Sequence, residues 1–420
     1  YNSKYKLPTN KTYAMMKKDL LEFIKKKKRI IYGGYAMNQL ITKKDKTDDF
    51  YGNTRYDIEF YSPEPLKDSI DIAMFFHNKK YNNISVGEGL HPDTYKLHVE
   101  FENICDITYM DKNVYDNVKY ITINDYKFIN TEYMLIDAYR TFTDPMTSYF
   151  RLQKSLDRIY LILKHYPFDK NYIDVIYKEY LKRDMNLKIL DFIRHNILQD
   201  SNMIIIGHYA VNYFLTKVDK RLPFYPYYEI ISDNYIKDRD RIYKILKKKY
   251  KDISFKKYNK FFQFYGERSE FYYKKQVILK IYSNNERCNP YIVSTKKKLN
   301  IGSYQLVVKY LLISFVYNRL YNFNLEKNNY KAMLNMLVEA KTTYFDNNKL
   351  NLLSETPFKH YIFECFGHPL DLARESRLRG KRNLQKNKPF KFQFYPDKQK
   401  KEIKYPSYKF NNESGLLMKR

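Results

Sequence analysis

Residues 56–60 read Tyr-Asp-Ile-Glu-Phe, and residues 31–34 upstream of them read Ile-Tyr-Gly-Gly. Because alternate residues of a strand face the same side, the first stretch predicts a strand that presents Asp57 and Glu59 together and buries its apolar residues. Two neighbouring carboxylates repel unless a cation lies between them, and oxygen ligands suit Mg²⁺ or Mn²⁺. The Gly33-Gly34 turn offers backbone N–H groups to a phosphate. The two stretches therefore predict a divalent-metal site beside a phosphate site.

The surrounding pattern alternates helices and strands. Residues 12–28 predict a basic amphipathic helix, and residues 29–32 predict a short strand that leads into the glycines. A helix follows them, residues 42–54 predict a polar loop, and residues 56–61 predict the carboxylate strand. Pro63 and Pro65 open a further helix that runs through His77, in which Asp68 and Asp71 have structural roles near the positive end of the helix dipole. This alternation favours an α+β fold with a small mixed sheet.

Charge and aromatic content point to a polyanionic partner. The chain of 420 residues has 76 Lys and Arg against 47 Asp and Glu, which gives a net charge of +29. It contains 46 Tyr and 28 Phe but no Trp. Cations interleaved with aromatic rings suit single-stranded nucleic acid better than lipid, because the rings stack on unpaired bases. The alternative is that the Lys- and Tyr-rich composition reflects only an AT-rich genome.

The cysteines indicate a reducing, cytoplasm-like compartment. Cys105, Cys288 and Cys365 are far apart and odd in number, so no disulfide framework is expected. No signal peptide is visible, and no apolar run approaches the length of a membrane span. We therefore expect no membrane partner.

A third acid is expected on a neighbouring strand. Residues 96–109 alternate as one long strand, in which Asp106 lies between apolar neighbours. Glu100 and Glu102 have the same parity and are rival candidates. Three carboxylates can hold two metal ions about 4 Å apart, and such a pair stabilises the attacking and leaving oxygens of an in-line displacement. Asp57, Glu59 and Asp106 together therefore predict nucleotidyl transfer.

The second half of the chain contains a faint copy of the first. Residues 33–38 read Gly-Gly-Tyr-Ala-Met-Asn, residues 207–212 read Gly-His-Tyr-Ala-Val-Asn, and four of the six positions are identical. In the downstream alignment, Tyr227 replaces Asp57 and Lys280 lies opposite Asp106. A tyrosine and a lysine at these positions could not hold two divalent cations, so the copy is expected to be degenerate. The alternative is coincidence between two strand–helix turns.

These patterns divide the chain into five parts. They are an N-terminal basic helix (1–28), a catalytic domain (29–130), a helical segment (131–200), a degenerate copy of the catalytic domain (201–370) and a basic aromatic tail (371–420). Residues 371–404 hold twelve Lys and Arg against four Asp and Glu and show little helical periodicity. This tail could track a nucleic-acid backbone, and the alternative is a solvated charged terminus.

The order Gly33-Gly34, Asp57-x-Glu59, Asp106 resembles the signature of the nucleotidyltransferase superfamily. Residues 91–96 and 104–109 look like the poly(A) polymerases of large DNA viruses, especially the mimivirus group. Asp144-Pro145, followed by Phe150-Arg151 and Lys154, is similar to the helix that follows the catalytic domain in that group. The resemblance covers residues 29–165 well and the remainder loosely.

The resemblance implies two nucleotidyltransferase-like domains, the second degenerate, joined by a helical segment. It implies template-independent addition of AMP from ATP to RNA 3′ ends, with two Mg²⁺ or Mn²⁺ ions on Asp57, Glu59 and Asp106. Gly33, Gly34, Arg151 and Lys154 would bind the nucleotide; for the last two, the alternative is a solvated helix face. Members of the group are expected to be homodimers in the host cytoplasm, in the viral factory or the virion.

The chain departs from the family pattern at two points. Glu59 stands where Asp is common, although Glu is an accepted variant. The gap from Gly34 to Asp57 is longer than usual, and an inserted loop at residues 42–54 would explain it; if that loop is structured against the site, it could gate the substrate.

Two classes of alternative function remain open. One is another terminal nucleotidyltransferase, either a uridylyltransferase or a CCA-adding enzyme. The other is a non-catalytic RNA-binding scaffold made of two inactive nucleotidyltransferase folds, which would be expected to lack carboxylates in both copies.

Overall fold

The computed structural model describes residues 7–52, 54–168, 187–199, 203–284, 287–294, 299–351, 354–360, 362, 364–368, 371–399, 405 and 413–418. The predicted helical segment at 131–200 and the predicted tail at 371–420 lie partly outside these residues. The chain forms two compact units. The first contains residues 1–134 and 371–412, and the second contains residues 135–370 and 413–420.

The N-terminal part of the first unit alternates strands and helices. Its strands are β1 (Ile30–Tyr32), β2 (Ile58–Ser62), β3 (Ser85–Glu88), β4 (Thr94–Val99), β5 (Glu102–Tyr109), β6 (Tyr120–Ile123) and β7 (Tyr126–Ile129). Its helices are α1 (Asn10–Lys27), α2 (Gly33–Lys44), α3 (Pro65–Asn78) and α4 (Lys112–Tyr115). The α1, α2 and α3 helices confirm the three helices predicted in this region.

The second unit repeats this alternation. Its described helices are α5 (Thr131–Phe142, which begins in the first unit), α6 (Pro145–Ser148), α7 (Leu152–His165), α8 (Leu187–Asn196), α9 (Gly207–Leu215), α10 (Tyr235–Lys249), α11 (Tyr304–Leu320) and α12 (Asn324–Asn348). Its strands are β8 (Met203–Ile206), β9 (Tyr228–Ser232), β10 (Ile253–Tyr258), β11 (Arg268–Tyr273), β12 (Gln276–Ser283), β13 (Asn289–Ser294), β14 (Leu299–Gly302) and β15 (Cys365–Phe366).

The C-terminal segment returns to the first unit. It forms helix α13 (Leu372–Gln385) and strand β16 (Gln393–Phe394). Little helical structure was expected here, because the polar composition shows weak periodicity. The helix forms because Asp371 caps its N-terminus and accepts a hydrogen bond from the Arg374 N–H at 2.9 Å.

Both units contain an eight-stranded mixed sheet in which seven strands follow the same order, and the eighth strand lies at opposite edges. The first sheet runs β16-β3-β4-β5-β2-β1-β7-β6, and the second runs β10-β11-β12-β9-β8-β14-β13-β15. In both sheets the two strands on either side of the glycine turn pair antiparallel, whereas β2 with β5 and β9 with β12 pair parallel. The predicted duplication and the α+β fold with two small mixed sheets are confirmed.

The predicted long strand at residues 96–109 was wrong. The chain instead turns back between β4 and β5, which pair antiparallel. Glu100 and Phe101 form the turn with φ of 51° and 65°. Two successive positive φ angles are typical of the turns that join two-residue hairpins, and Gly or Asn usually supplies them. Because this turn contains neither Gly nor Asn, the sequence carries no signal for the hairpin.

A disulfide joins Cys288 to Cys365, so the prediction of no disulfide was wrong. The two residues are 77 positions apart, and the antiparallel pairing of β13 with β15 brings their Cα atoms to 5.2 Å. Cys105 is buried with a free thiol.

Among the described helices, none combines the length and the apolar character that are needed to cross a lipid bilayer.

Candidate active site

Three predicted acids lie on one face of the first sheet. Glu59 of β2 and Asp106 of β5 are direct partners in the parallel pairing of these strands. Asp57 immediately precedes β2 and has the parity of Glu59, so it belongs to the same face. All three residues are half-buried. Their neighbours Ile58, Phe60 and Cys105 are completely buried on the opposite face, as the alternation predicted.

Lys96 forms an ion pair with the third acid. It is the partner of Asp106 in the antiparallel pairing of β4 with β5. Its Nζ lies 2.9 Å from Oδ1 and 2.8 Å from Oδ2 of Asp106. The carboxylate face thus already holds one positive charge against Asp106. Carboxylate oxygens are the ligands that hard divalent cations prefer, so the chemistry of this donor set suits the implied metal. The ligand atoms of these three acids do not all lie within 4.8 Å of one another, so metal binding would require the side chains to converge.

The glycine turn contacts Glu59 directly. The Gly34 N–H donates to Oε2 of Glu59 at 3.1 Å. Gly33 has a φ of 72°, and a Cβ at this position would overlap the Glu59 carboxylate. Glycine is therefore required both for the backbone conformation and for the approach of the acid. In this arrangement the Gly34 amide serves Glu59, so phosphate binding by that amide would need the carboxylate to turn away.

Helix α1 fixes the residue that precedes Asp57. The Tyr13 hydroxyl donates to the backbone oxygen of Tyr56 at 2.5 Å and accepts from the Tyr56 N–H at 3.0 Å. A single side chain therefore satisfies both backbone groups of Tyr56. This clamp sets the position at which the chain enters β2.

Lys17 of the same helix packs against that segment. Its Nζ lies 2.6 Å from the centroid of the Tyr56 ring and 5.2 Å from that of Tyr13. The ammonium is buried and makes no hydrogen bond to the described residues. Burial lowers the pKa of Lys17 to about 7, although the negative charge of Asp57 acts in the opposite direction. Lys17 thus places a basic group beside Asp57 of the carboxylate face.

Described residues of the predicted loop at residues 42–54 contact the same segment. Helix α2 extends to Lys44, and a 3₁₀ turn follows at Lys46–Asp48. Asp49 accepts a hydrogen bond from Asn38 at 3.0 Å, and the ring of Tyr51 stacks on Tyr56 with centroids 4.3 Å apart. Tyr51 of this loop therefore packs against the segment that precedes β2, which Tyr13 also holds.

The rival acids have other partners. Glu100 lies in the β4–β5 turn and accepts from the Asn82 N–H at 2.8 Å. Glu102, at the start of β5, lies 3.6 Å from Arg55. The acids predicted to be structural are also paired: Arg29 donates to Asp68 at 2.6 Å, and Lys27 donates to Asp71 at 2.6 Å.

The second sheet carries the same frame with different charges. Glu229 and Lys280 are parallel partners, as Glu59 and Asp106 are in the first sheet, which confirms the predicted alignment of Lys280 with Asp106. Glu270 of β11 pairs with Lys280, at the position that Lys96 has beside Asp106. Compared with Lys96 on β4 and Asp106 on β5, the acid and the base of this strand pair have exchanged strands.

Aromatic hydroxyl groups fill the position above Lys280. The Lys280 ammonium donates to the Tyr330 hydroxyl at 3.2 Å, and Tyr330 donates to Glu229 at 2.9 Å. The Tyr227 ring lies 4.3 Å from the ammonium. His208 is completely buried, and burial lowers its pKa to about 3. Lys280, Tyr330 and Glu229 are thus linked by hydrogen bonds at the position that corresponds to the three acids of the first unit, as expected for a degenerate copy.

Arg151 and Lys154 belong to the second unit. Arg151 ends a 3₁₀ turn at Tyr149–Arg151, and its guanidinium lies 5.2 Å from the Phe150 ring. Lys154 is exposed in the first turn of α7. Their predicted role in nucleotide binding stays a prediction.

The residues missed by sequence reasoning are Lys96, Tyr13 and Lys17. Lys96 has the parity that would place it beside Asp106, but only across the hairpin that was not predicted. Tyr13 reaches Tyr56 across 43 residues of sequence, a separation at which local patterns carry no signal.

Two family models match the chain. A model of the poly(A) polymerase catalytic subunit matches residues 18–148. A model of the C-terminal region of the poly(A) polymerase catalytic subunit of APMV matches residues 161–419, more than half of the chain.

Individual relatives agree with these models. A poly(A) polymerase catalytic subunit of Acanthamoeba polyphaga mimivirus is 28% identical over 414 residues, which cover 90% of this chain and 71% of the relative. One of African swine fever virus is 28% identical over 152 residues, 35% of this chain and 32% of the relative. The crystal structure of the Megavirus polyadenylate synthase superposes with a TM-score of 0.87 at 27% identity, covering 98% of this chain and 87% of that one.

Proposed function

The chain belongs to the family of mimivirus-type poly(A) polymerase catalytic subunits, and from this premise we propose that Asp57, Glu59 and Asp106 form its active site. The protein is a viral polynucleotide adenylyltransferase that adds AMP from ATP to RNA 3′ ends. The site assignment rests above all on the register of β2 and β5, which makes Glu59 and Asp106 partners on one face of the first sheet.

The three carboxylates would hold two divalent cations, Mg²⁺ or Mn²⁺. When bound, such ions stabilise the attacking and leaving oxygens of the displacement at the α-phosphate. Asp57 and Glu59 would contact both ions, and Asp106 would contact the ion nearer the RNA 3′-hydroxyl. If a metal ion bound Asp106, the Lys96 ammonium, which pairs with that carboxylate in this structure, would have to move away or bind the carboxylate together with the ion.

The remaining assignments concern substrate and assembly. Gly33 and Gly34 would contact the triphosphate through backbone N–H groups, and Arg151 and Lys154 would contact the triphosphate or the primer backbone. A homodimer, which light scattering of the purified protein would test, and a location in the host cytoplasm, in the viral factory or the virion, are proposals that rest on the sequence resemblance alone.

Substitution of the acids tests the site. We expect Asp57→Asn and Asp106→Asn each to lower RNA extension by about 10³-fold or more, because loss of a metal ligand removes several kcal/mol of transition-state stabilisation. RNA binding should persist. The control is Glu229→Gln, which changes the acid of the second unit that corresponds to Glu59 and should leave the extension rate unchanged. Normal extension by the doubly substituted Asp57→Asn, Asp106→Asn protein would contradict the assignment.

Competition among the four nucleoside triphosphates tests the donor. Preferential incorporation of AMP into an unstructured RNA primer is expected. Preference for UTP, or ordered addition of C, C and A, would favour another terminal nucleotidyltransferase.

A further inference from the structure

Helix α13 has two chemically distinct sides. Residues three and four apart share a face of a helix. On one side Ser376 and Gly380 are buried, and Arg379 between them is half-buried. The opposite side carries Arg374, Arg377, Lys381 and Arg382, all exposed. These four cations are called the basic face below.

The buried side of α13 is firmly held on the first unit. Arg379 donates from Nε to Glu88 Oε1 at 2.6 Å and from Nη2 to the backbone oxygens of Gly89 and Leu90 at 3.2 and 3.3 Å. Gly380 lies against the Phe390 ring, where no Cβ would fit. Further along the chain, β16 pairs antiparallel with β3 and extends the sheet. The helix is therefore part of the folded unit.

The basic face makes no polar side-chain contact with the described residues. In the part of the chain that the structure describes, none of its four side chains forms an ion pair or a hydrogen bond. The face spans about 12 Å, from the rise of 1.5 Å per helical residue. Four unpaired cations held in fixed positions favour a partner with regularly spaced negative charges.

Strand β16, which follows α13 in the chain, is in register with the acids. Gln393 of β16 pairs with Gly87, Gly87 with Lys96, Lys96 with Asp106, and Asp106 with Glu59. Four strand spacings separate the ends of this row, about 19 Å in all. That distance corresponds to about six stacked nucleotides at roughly 3.4 Å each.

We propose that the basic face of α13 binds the phosphate backbone of single-stranded RNA upstream of the 3′ end held at the carboxylates. The inference rests on the proposed function for its choice of ligand, because that function puts an RNA 3′ end on the same sheet. Arg379 and Glu88 position the helix and do not contact the RNA. Phosphate contacts of this kind are independent of sequence, which suits a polymerase that must hold any transcript and then a growing homopolymer.

The test removes the four charges and follows binding against salt. The variant Arg374→Gln, Arg377→Gln, Lys381→Gln, Arg382→Gln should bind an oligo(A) of about 15 nucleotides at least tenfold more weakly at low salt. The slope of log K against log salt should fall by about 3, since each phosphate contact on a single strand contributes about 0.7. Extension of a primer of about four nucleotides, too short to reach α13, should be unchanged.

The matched control removes four exposed cations of α10 in the second unit, with Lys237→Gln, Lys244→Gln, Lys247→Gln and Lys248→Gln. It lowers the net charge equally and should change the salt slope far less. An equal loss in the control, or an unchanged slope in the α13 variant, would overturn the proposal. So would a loss of binding to anionic phosphatidylserine vesicles without a loss of binding to RNA.

Glu88→Gln separates a fixed platform from simple charge attraction. This variant keeps every cation and raises the net charge by one, yet it removes the ion pair that anchors Arg379 and leaves that side chain its hydrogen bonds to the backbone oxygens of Gly89 and Leu90. Weaker binding of the longer oligo(A) is expected, and binding as tight as that of the unsubstituted protein would contradict the fixed platform. If the unsubstituted protein extends no primer, the proposed function fails, while the binding measurements still decide the role of α13.

Discussion

Gly33 is required both for the backbone turn before α2 and for the position of the Glu59 carboxylate. Gly33 adopts a φ of 72°, and the space where its side chain would lie is occupied by the Glu59 carboxylate. The second unit keeps this relation between Gly207, with a φ of 62°, and Glu229. The glycine turn is therefore a requirement of the fold in both units, whereas we propose that the neighbouring acids serve chemistry only in the first.

This pair of glycines allows a matched comparison. Gly33→Ala and Gly207→Ala should each lower the free energy of unfolding by about 1–3 kcal/mol, because both impose the same strained backbone and the same overlap. Only Gly33→Ala should abolish RNA extension, because it displaces Glu59. Thermal denaturation and primer extension measure the two effects. Equal losses of activity in folded samples of both variants would contradict the division of labour between the units.

The Tyr13 hydroxyl is predicted to act as a positioning group. Tyr13→Phe removes both hydrogen bonds to the Tyr56 backbone and should let Asp57 shift. We expect kcat to fall by about tenfold or more, because small displacements of a metal ligand weaken transition-state stabilisation. The KM for ATP should change little.

The control is Tyr120→Phe, which removes a hydroxyl from an exposed ring of the same unit. A Tyr13→Phe protein with unchanged kcat would show that β2 holds Asp57 without the clamp.

At the scale of elements, the pairing registers place different charges in the corresponding rows of the two sheets. The strands β4, β5 and β2 present Lys, Asp and Glu in one row, and β11, β12 and β9 present Glu, Lys and Glu. Lys280 lies between the two glutamates of the second row, so its ammonium offers the positive charge that a metal ion would otherwise supply. Tyr330 from α12 then completes the network.

The network in the second unit is expected to stabilise the fold alone. Tyr330→Phe leaves Glu229 and Lys280 each with one hydrogen-bond partner fewer in a buried position. It should lower the free energy of unfolding by about 1–3 kcal/mol. Chemical denaturation measures the loss, and the primer extension rate at a temperature below the transition should be unchanged. A rate defect in the folded variant would assign the second unit a part in catalysis.

How far these elements could be predicted depended on sequence distance. Asp57, Glu59 and the glycine turn lie within one local pattern, so their arrangement could be predicted. The copy at residues 207–212 could be predicted from its sequence identity with residues 33–38, and the position of Lys280 from its spacing in that alignment. Lys96 required the β4–β5 hairpin, whose turn residues Glu100 and Phe101 have no turn preference. The disulfide and the Tyr13 clamp depend on tertiary contacts between distant segments.

At the scale of the whole molecule, burial of basic groups links stability to pH. Lys309 of α11 is buried in the second unit and donates to Thr143 at 3.0 Å. Burial lowers its pKa from 10.5 to about 7, aided by Arg287 and Arg140 and opposed by Asp144. Between these two pKa values the unfolded chain binds the proton and the folded chain does not. This group therefore makes stability rise with pH from about 7 to about 10.5.

Lys309→Met tests this linkage. The variant keeps the volume of the side chain and removes the charge, so it should be more stable than the unsubstituted protein at pH 7 and below. Its advantage should shrink as the pH rises towards 10.5, the ordinary pKa of the lysine. Melting temperatures of both proteins across this range measure the difference. A constant difference at all pH values would mean that Lys309 is not the titrating group.

The central claim is that one of the two similar units holds the metals, and counting bound ions tests it most directly. Electron paramagnetic resonance of Mn²⁺ with a non-hydrolysable ATP analogue should give two bound ions per chain. Asp106→Asn should lose at least one of them, and Glu229→Gln should keep both. The account would be contradicted by two ions in the Asp106→Asn protein, or by loss of an ion from the Glu229→Gln protein.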